Sequence, residues 1–317
     1  MNALETVWGA PLSTARGLDA MDMIRAAEQG QIRVLLFLGV DPLAVLPDTE
    51  RTRKALAAAD LVVRTGMFPA VTAELAHMVF PAAAITEMDG SYVNIEGRVQ
   101  RVSKMTDPPE NARPTARFLL DLAGRLEAPM GFIMARDIFD EIRAICPGWN
   151  GLTWATIGRP GGVVLEAPAE RGGAEGHQKE EPRLVPYAPP DSLPPRRPAP
   201  EGRSWRLFTE EQTAQPGDGV VSSRSRRLSR YAGGQAVRIN PQDAEKIGAL
   251  PGTWVLLCSE VGEVRAQVVT DTAVPLSGVV IPAGGPSYML QRLLPWPEEY
   301  CPPGWDRNFI SVTRLEE

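Results

Sequence analysis

The sequence predicts an α/β domain with a partial parallel sheet, followed by a closed β-barrel domain. Short apolar runs alternate with capped helical patterns up to about residue 145, which is typical of parallel strands joined by right-handed crossovers. A segment rich in Pro and Gly then divides the chain and predicts a linker. Beyond it, short strand patterns recur around one capped helix, which favours a barrel. We therefore predict domains over 1–160 and 204–317, with the linker over 161–203.

The elements of the first domain follow from helix caps and apolar periodicity. Asp19 and Asp48 are typical N-cap residues, Thr72 is a further candidate cap, and Gly30 is a typical residue just past a helix end. The predicted helices cover 19–29, 48–59, 114–126 and 135–145, the predicted strands 33–40, 61–63 and 78–80, and a hairpin or crossing loop 91–101.

The second domain is predicted to be largely β. Asn240 precedes a Pro at the first helical position, and Gly248 follows, so one short helix is expected there. The predicted strands around it cover 237–239, 254–259, 264–269 and 279–281.

Charge and hydropathy exclude several classes of protein. The formal net charge is −6 and the pI is about 5.3, which disfavours binding to nucleic acid. The longest apolar run, 34–40, is much shorter than the roughly 20 residues of a membrane-spanning helix. The N-terminus shows neither the basic start nor the apolar stretch of a secretory signal. A cytoplasmic protein without a membrane span is therefore expected.

Cysteine and histidine are too scarce for a metal site built from this chain alone. Its three cysteines, Cys146, Cys258 and Cys301, are widely separated, and there are only two histidines. This pattern argues against a disulfide framework, a zinc site and an iron–sulfur cluster. His77 has no Ser or Cys partner at a readable spacing, so we predict no catalytic residue and no metal ligand.

Three motifs are candidates for ligand binding, and each has a simpler interpretation. Gly39-Val40-Asp41-Pro42 follows the first buried strand, where open α/β sheets bind ligands, but the same residues suit an ordinary turn. Asn94-Ile95-Glu96-Gly97-Arg98 offers three polar side chains around a glycine, or an exposed hairpin. The run from Ser222 to Arg227 suits a phosphate, or a solvated basic loop.

Taken in order, these segments resemble the molybdopterin oxidoreductases that carry a bis-guanine-dinucleotide cofactor. The ordered set is specific even though each piece is not: the matching runs are 39–43, 58–63, 72–76, 79–83 and 87–100. The stretch 108–126 is similar to the G-type large subunit of bacterial NADH:quinone oxidoreductase, which is respiratory complex I. After the linker, 237–244, 261–264 and 278–282 resemble the family's dinucleotide-binding double-psi barrel.

The resemblance implies a set of residues that contact the cofactor. The first loop contacts a guanosine in cofactor-loaded relatives, the hairpin motif lies near the cofactor, and a Thr-Arg-Ser-like loop of the barrel reaches the pterin. The implied cofactor-binding residues are Gly39, Asp41, Pro42, Asn94, Glu96, Gly97, Arg98, Arg224, Ser225, Asn240 and Asp243. Asp41 replaces the usual Asn, and a carboxylate accepts hydrogen bonds but does not donate them, which alters a guanine contact.

The departures from the family shape the predicted function. The cysteine-rich iron–sulfur domain and the first half of the molybdopterin fold are not in this sequence, so we expect no cluster and no metal ligand here. The resemblance implies a truncated or split version of the G-type large subunit, acting as a structural component of complex I in the peripheral arm at the inner face of the cell membrane. Its expected partners are other subunits of the respiratory complex, including a chain that supplies the missing N-terminal half.

Two alternatives stay open. One is half of a split molybdopterin-dependent oxidoreductase that binds a guanine dinucleotide form of the cofactor, with the metal ligand and cluster on a partner chain. The other is a binding module with a single guanine-nucleotide pocket. In the first, molybdopterin guanine dinucleotide is bound; a structural component would keep at most a vestigial site for it.

Overall fold

The computed structural model describes residues 3–146, 148–165, 199–215, 217, 219–232, 236–283, 289–296 and 308–315. Contacts divide the chain into two compact units. The first contains the described residues of 1–17, 65–67 and 80–192, and the second those of 18–64, 68–79 and 193–317. The predicted domain boundaries follow chain order, whereas these units follow contacts. Most of the predicted linker, 166–198, lies outside the described residues.

A three-stranded sheet forms the centre of the α/β part, in the order β1-β2-β3. Its strands are β1 (Val34–Leu38), β2 (Leu61–Gly66) and β3 (Met78–Pro81). The amide of Leu61 donates to the carbonyl of Arg33, and that of His77 to the carbonyl of Val62, so successive strands pair start to start. The predicted parallel sheet is confirmed.

Helices α2 (Ala20–Glu28) and α4 (Thr49–Ala58) cover one face of this sheet. Ile24, Leu35 and Leu56 are buried together between them. Both helices begin at the predicted caps, because an aspartate side chain satisfies a free backbone N–H at each start: Asp19 accepts from Asp22, and Asp48 accepts from Arg51. A one-turn helix, α3 (Pro42–Val45), follows β1.

The first unit has its own small core. It contains α1 (Ala3–Trp8), β4 (Gly90–Val93), β5 (Arg98–Val102), α5 (Thr115–Arg125), α6 (Ala135–Ile145) and β6 (Val163–Val164). Strands β4 and β5 form the predicted hairpin, and β6 adds to β5 in an antiparallel pair. Strand β6 lies at the start of the segment predicted as linker. Val99, Phe139, Leu152 and Ile157 are buried together in this core.

Six strands of the second unit close into a barrel in the order β10-β8-β11-β7-β12-β9. They are β7 (Trp205–Glu211), β8 (Val237–Ile239), β9 (Trp254–Cys258), β10 (Glu263–Thr270), β11 (Gly278–Ala283) and β12 (Phe309–Arg314). Pairs β10/β8 and β11/β7 are parallel, and the other pairs around the barrel are antiparallel. Three short helices accompany them: α7 (Arg226–Tyr231), α8 (Pro241–Lys246) and α9 (Met289–Leu293). The predicted barrel is confirmed.

Alternation explains the barrel's core. On β10, Val264, Ala266 and Val268 are buried, while the residues between them face solvent. Among the described residues, no helix has both the length and the apolar character needed to cross a membrane.

Candidate functional site

A buried carboxylate lies where the first strand of the parallel sheet ends. Gly39 follows β1 with φ of +73°, a conformation that favours glycine, and turns the chain toward Asp41. Asp41 caps α3: its Oδ1 accepts from the amide of Leu43 at 3.1 Å and from the hydroxyl of Thr72. Pro42, the first residue of α3, is buried. The sequence prediction for this loop thus falls on a folded and buried turn.

One oxygen of this carboxylate is available for a ligand. Asp41 is 3% exposed, and its Oδ2 has no hydrogen-bond partner among the described residues. A buried polar atom without a partner costs free energy, and such atoms are rare in folded proteins. This oxygen accepts hydrogen bonds, so the ligand it suits carries an N–H or O–H donor.

A second polar group lies at the end of the neighbouring strand. Arg64 of β2 is 4% exposed and donates from Nη1 to the carbonyl of Phe68 at 3.2 Å. The guanidinium of Arg224, a predicted site residue, lies over the ring of Phe68, with 4.2 Å from its carbon to the ring centroid. Ser225 caps α7 by accepting from the amide of Leu228 at 3.4 Å. Asp41, Arg64, Arg224 and Ser225 all belong to the second compact unit.

The hairpin motif is occupied with stabilising its own turn. Asn94 Oδ1 accepts from the amides of Glu96 and Arg98, at 3.0 and 2.9 Å, and Gly97 has φ of +75°. The Arg98 side chain donates to Glu96 Oε2 at 3.1 Å and to the carbonyl of Gly161 at 2.7 Å. These residues belong to the first compact unit, apart from the other predicted site residues.

The two predicted residues of the barrel also have partners within the fold. Asn240 caps α8 by accepting from the amide of Gln242 at 3.0 Å, and it donates to the carbonyl of Val274 at 2.9 Å. The buried Asp243 pairs with Lys246 at 2.8 Å through Oδ1 and accepts from the amide of Ser277 at 2.6 Å through Oδ2. Both carboxylate oxygens of Asp243 are therefore used, unlike those of Asp41.

Sequence reasoning missed Arg64 and misassigned Thr72. Thr72 was expected to cap the turn at 71–74, but Ala70 is the residue at that cap, and the Thr72 hydroxyl donates to Asp41 instead. The prediction of Thr72 as a cap is wrong because a tertiary hydrogen bond competes with the local one. The signal for Arg64 was a charged residue directly after the apolar run Leu61-Val62-Val63.

Two other features carry no predicted site residue. A cavity of about 820 Å³ lies in the first unit and is lined mainly by residues of α5, together with Thr65, Phe80 and Pro81. His77 Nδ1 accepts from the amide of Val62 at 3.0 Å, which is a structural use of the ring. Within the part of the chain that the structure describes, no three His, Cys, Asp or Glu side chains converge as a metal site.

The fold is a parallel α/β sheet joined to a closed barrel, with buried polar groups at the carboxyl ends of the strands, and comparisons with known proteins identify its family. Residues 7–125 match the molybdopterin oxidoreductase model, and residues 206–300 match the Molydopterin dinucleotide binding domain. The chain belongs to the molybdopterin oxidoreductase family.

Its relatives are large subunits of several oxidoreductases. It is 30% identical over 298 residues to the G 2 subunit of the NADH-quinone oxidoreductase of Rhizobium meliloti, covering 94% of this chain and 33% of that protein. It is 35% identical over 168 residues to the NADPH-Fe(3+) oxidoreductase subunit alpha of Geobacter sulfurreducens, covering 53% and 19%. For the F420-dependent formate dehydrogenase 2 subunit alpha of Methanococcus maripaludis, the identity is 28% over 291 residues, covering 87% and 42%. The chain thus spans less than half the length of each.

A solved structure shares the fold. Acetylene hydratase from Pelobacter acetylenicus aligns with a TM-score of 0.59 and 17% identity, covering 82% of this chain and 38% of that one.

Proposed function

We propose that the chain is a structural component of NADH:quinone oxidoreductase, similar to its G-type large subunit but truncated or split relative to it, and without a redox centre of its own. The similarity to the Rhizobium meliloti G 2 subunit over 94% of the chain supports this. The chain lies in the peripheral arm, held at the inner face of the cell membrane by partner subunits. Electron transfer from NADH to quinone belongs to the assembly.

An uncovered sheet face is the observation that carries this proposal. On β1, Val34, Leu36 and Leu38 are 52%, 42% and 36% exposed, whereas Leu35 on the helix-covered face is 6% exposed. On β3, Met78 is 51% exposed. Parallel sheets normally have both faces covered, because their strands are apolar on both sides. A partner chain that supplies the first half of the family fold covers this second face.

Co-purification of native complexes tests the proposal. We expect the tagged full chain to recover other subunits of the respiratory complex, and Leu36→Glu to lose them, since a charge would then lie in the covered face. The matched control is Val269→Glu, at a position on the outside of the barrel that is 44% exposed. Recovery of the chain without any respiratory subunit, or equal recovery with Leu36→Glu, contradicts the proposal.

The buried Oδ2 of Asp41 favours a second candidate, half of a split molybdopterin-dependent oxidoreductase. This oxygen fits the N–H groups of a guanine or a ribose hydroxyl of the dinucleotide cofactor, and Arg224 and Ser225 fit its phosphate or pterin end. When bound with its metal, the cofactor supplies the redox centre, and a partner chain supplies the metal ligand and the iron–sulfur cluster. This chain's part is to bind and orient the dinucleotide.

Metal and pterin analysis of the purified assembly separates the two candidates. About one molybdenum or tungsten per complex, together with pterin fluorescence after oxidation, supports the split oxidoreductase. Respiratory subunits without either signal support the structural component.

A further inference from the structure

Arg64 is a buried cation without a counter-ion among the described residues. It follows the apolar start of β2 and is 4% exposed. Its single hydrogen bond in the described structure runs from Nη1 to the carbonyl of Phe68, and its Nε has no partner. No carboxylate of the described residues lies within 4.0 Å of it. Burying a charge is costly unless it is paired and hydrogen-bonded, so this environment is complete only with an acceptor or an anion.

Arg224 is a second cation held on the same residue. Its guanidinium lies over the ring of Phe68, while that of Arg64 lies at the carbonyl of Phe68. Arg224 also has no carboxylate within ion-pair distance in the described part of the chain. Like charges this near each other repel, and the repulsion is stronger where one of them is buried. An anion between them removes both costs.

We infer that Arg64 and Arg224 form a binding site for a phosphate-type anion at the carboxyl end of β2. Guanidinium groups present paired N–H donors that match phosphate oxygens, and a charged acceptor makes these hydrogen bonds stronger than neutral ones. The buried Asp41 carboxylate does not fill this role, since its Oδ1 is used by Leu43 and Thr72. The inference rests on the proposed dinucleotide site for its natural ligand, which would bring such a group as its pyrophosphate.

The test is binding of sodium pyrophosphate to the full chain, measured by calorimetry and thermal unfolding against sodium chloride of equal ionic strength. Pyrophosphate should raise the Tm of the wild type, because a ligand that binds only the folded state stabilises it. Arg64→Met should weaken pyrophosphate binding by roughly 10- to 100-fold, the equivalent of losing a charged hydrogen bond. The control Arg265→Met, on the exposed side of β10, should bind as the wild type does.

A purely structural role of Arg64 gives a different result. In the absence of anion, we expect Arg64→Met to have a Tm equal to or above that of the wild type, because it removes an unpaired buried charge. If its Tm falls and pyrophosphate still binds with wild-type affinity, the inference is overturned. Should Arg64→Met not fold, Arg64→Lys keeps the charge but loses the paired donors; weaker pyrophosphate binding then supports the site, and unchanged binding overturns it.

Two further ligands separate the sources of the anion. Tighter binding of GDP than of pyrophosphate, with the same loss in Arg64→Met, supports the site and assigns it to a nucleotide. Equal affinities support a site for free phosphate-type anions. Binding of guanosine without binding of pyrophosphate overturns the anion site but leaves the dinucleotide proposal standing.

Discussion

The guanidinium carbon of Arg51 lies 5.2 Å from the centroid of the Trp296 ring. Arg51 is on α4 and is held by an ion pair with Glu28 of α2 at 2.7 Å. Trp296 follows α9 and is 7% exposed, buried in the same core as the residues of α2 and α4. One indole ring from the end of the barrel segment thus completes the core beside the parallel sheet within the second unit.

We expect Trp296→Ala to lower the free energy of unfolding by about 3–5 kcal/mol, because it leaves a large cavity in this core. Trp296→Phe should cost less than about 1.5 kcal/mol, since the indole N–H has no hydrogen-bond partner among the described residues. Equilibrium unfolding in urea measures both. Trp254→Ala is the control, because Trp254 is 44% exposed; equal losses at positions 296 and 254 would contradict the packing role of Trp296.

Thr72→Val should destabilise the loop that carries Asp41. Thr72 is fully buried, and its hydroxyl donates to Asp41 Oδ1. Losing a hydrogen bond to a charged group costs about 1.5–3 kcal/mol, and the valine has the same shape but no donor. Thr72→Ser keeps the hydroxyl and should cost less. A urea unfolding midpoint that falls further for Thr72→Ser than for Thr72→Val would show that the methyl group, and not the hydrogen bond, matters.

Asp137 should make the stability of α6 depend on pH. Its carboxylate accepts from the amides of Met134 and Ile133, and these hydrogen bonds lower its pKa below the usual 3.8. A lowered folded-state pKa means that the contribution to stability is present above pH 3.8 and is lost as the pH falls through the folded value. Asp137→Asn should therefore lower Tm at neutral pH and match the wild type in strong acid.

Asp107 provides a comparison for the cause of that effect. Its pKa is lowered by a hydrogen bond and ion pair with Lys104 rather than by backbone amides. Salt screens an exposed ion pair. The Tm difference between wild type and Asp107→Asn at neutral pH should shrink in about 1 M salt by more than the difference for Asp137→Asn. Equal salt sensitivity would show that Asp137 acts mainly through charge.

The sequence predicted best what depends on a few neighbouring residues. The caps at Asp19, Asp48 and Asn240 all hold in the structure, since each side chain bonds an amide two or three residues ahead. Strands β7 and β12 were not predicted. They pair with strands that lie far along the chain, and β7 ends in charged residues, so their conformation depends on barrel closure rather than on local pattern.

The candidate site shows the same division. The loop at Asp41 was predicted because ligand sites of α/β sheets lie just beyond the strands. Arg64 was not, because its burial depends on the elements that fold over the end of β2 and is invisible in a strand pattern. The partners of Asn94 and Asp243 were also unpredictable, since Gly161 and Ser277 lie tens of residues away in sequence from the motifs they support.

Gly262 sets the spacing between a barrel turn and α9. It lies between β9 and β10, and a Cβ there would come within 2.4 Å of the carbonyl oxygen of Arg292. Backbone does not move aside as a flexible side chain does, so Gly262→Ala should lower the free energy of unfolding by about 1–3 kcal/mol.

Gly124 is the matched control for that substitution. It lies inside α5, and a Cβ there would meet no atom within 4 Å. Gly124→Ala should instead stabilise the protein by about 0.5–1 kcal/mol, because alanine loses less conformational entropy in a helix. Urea unfolding of both variants gives opposite signs if close approach decides the first effect. Destabilisation of similar size at both positions would assign it to a general intolerance of alanine and not to the contact with Arg292.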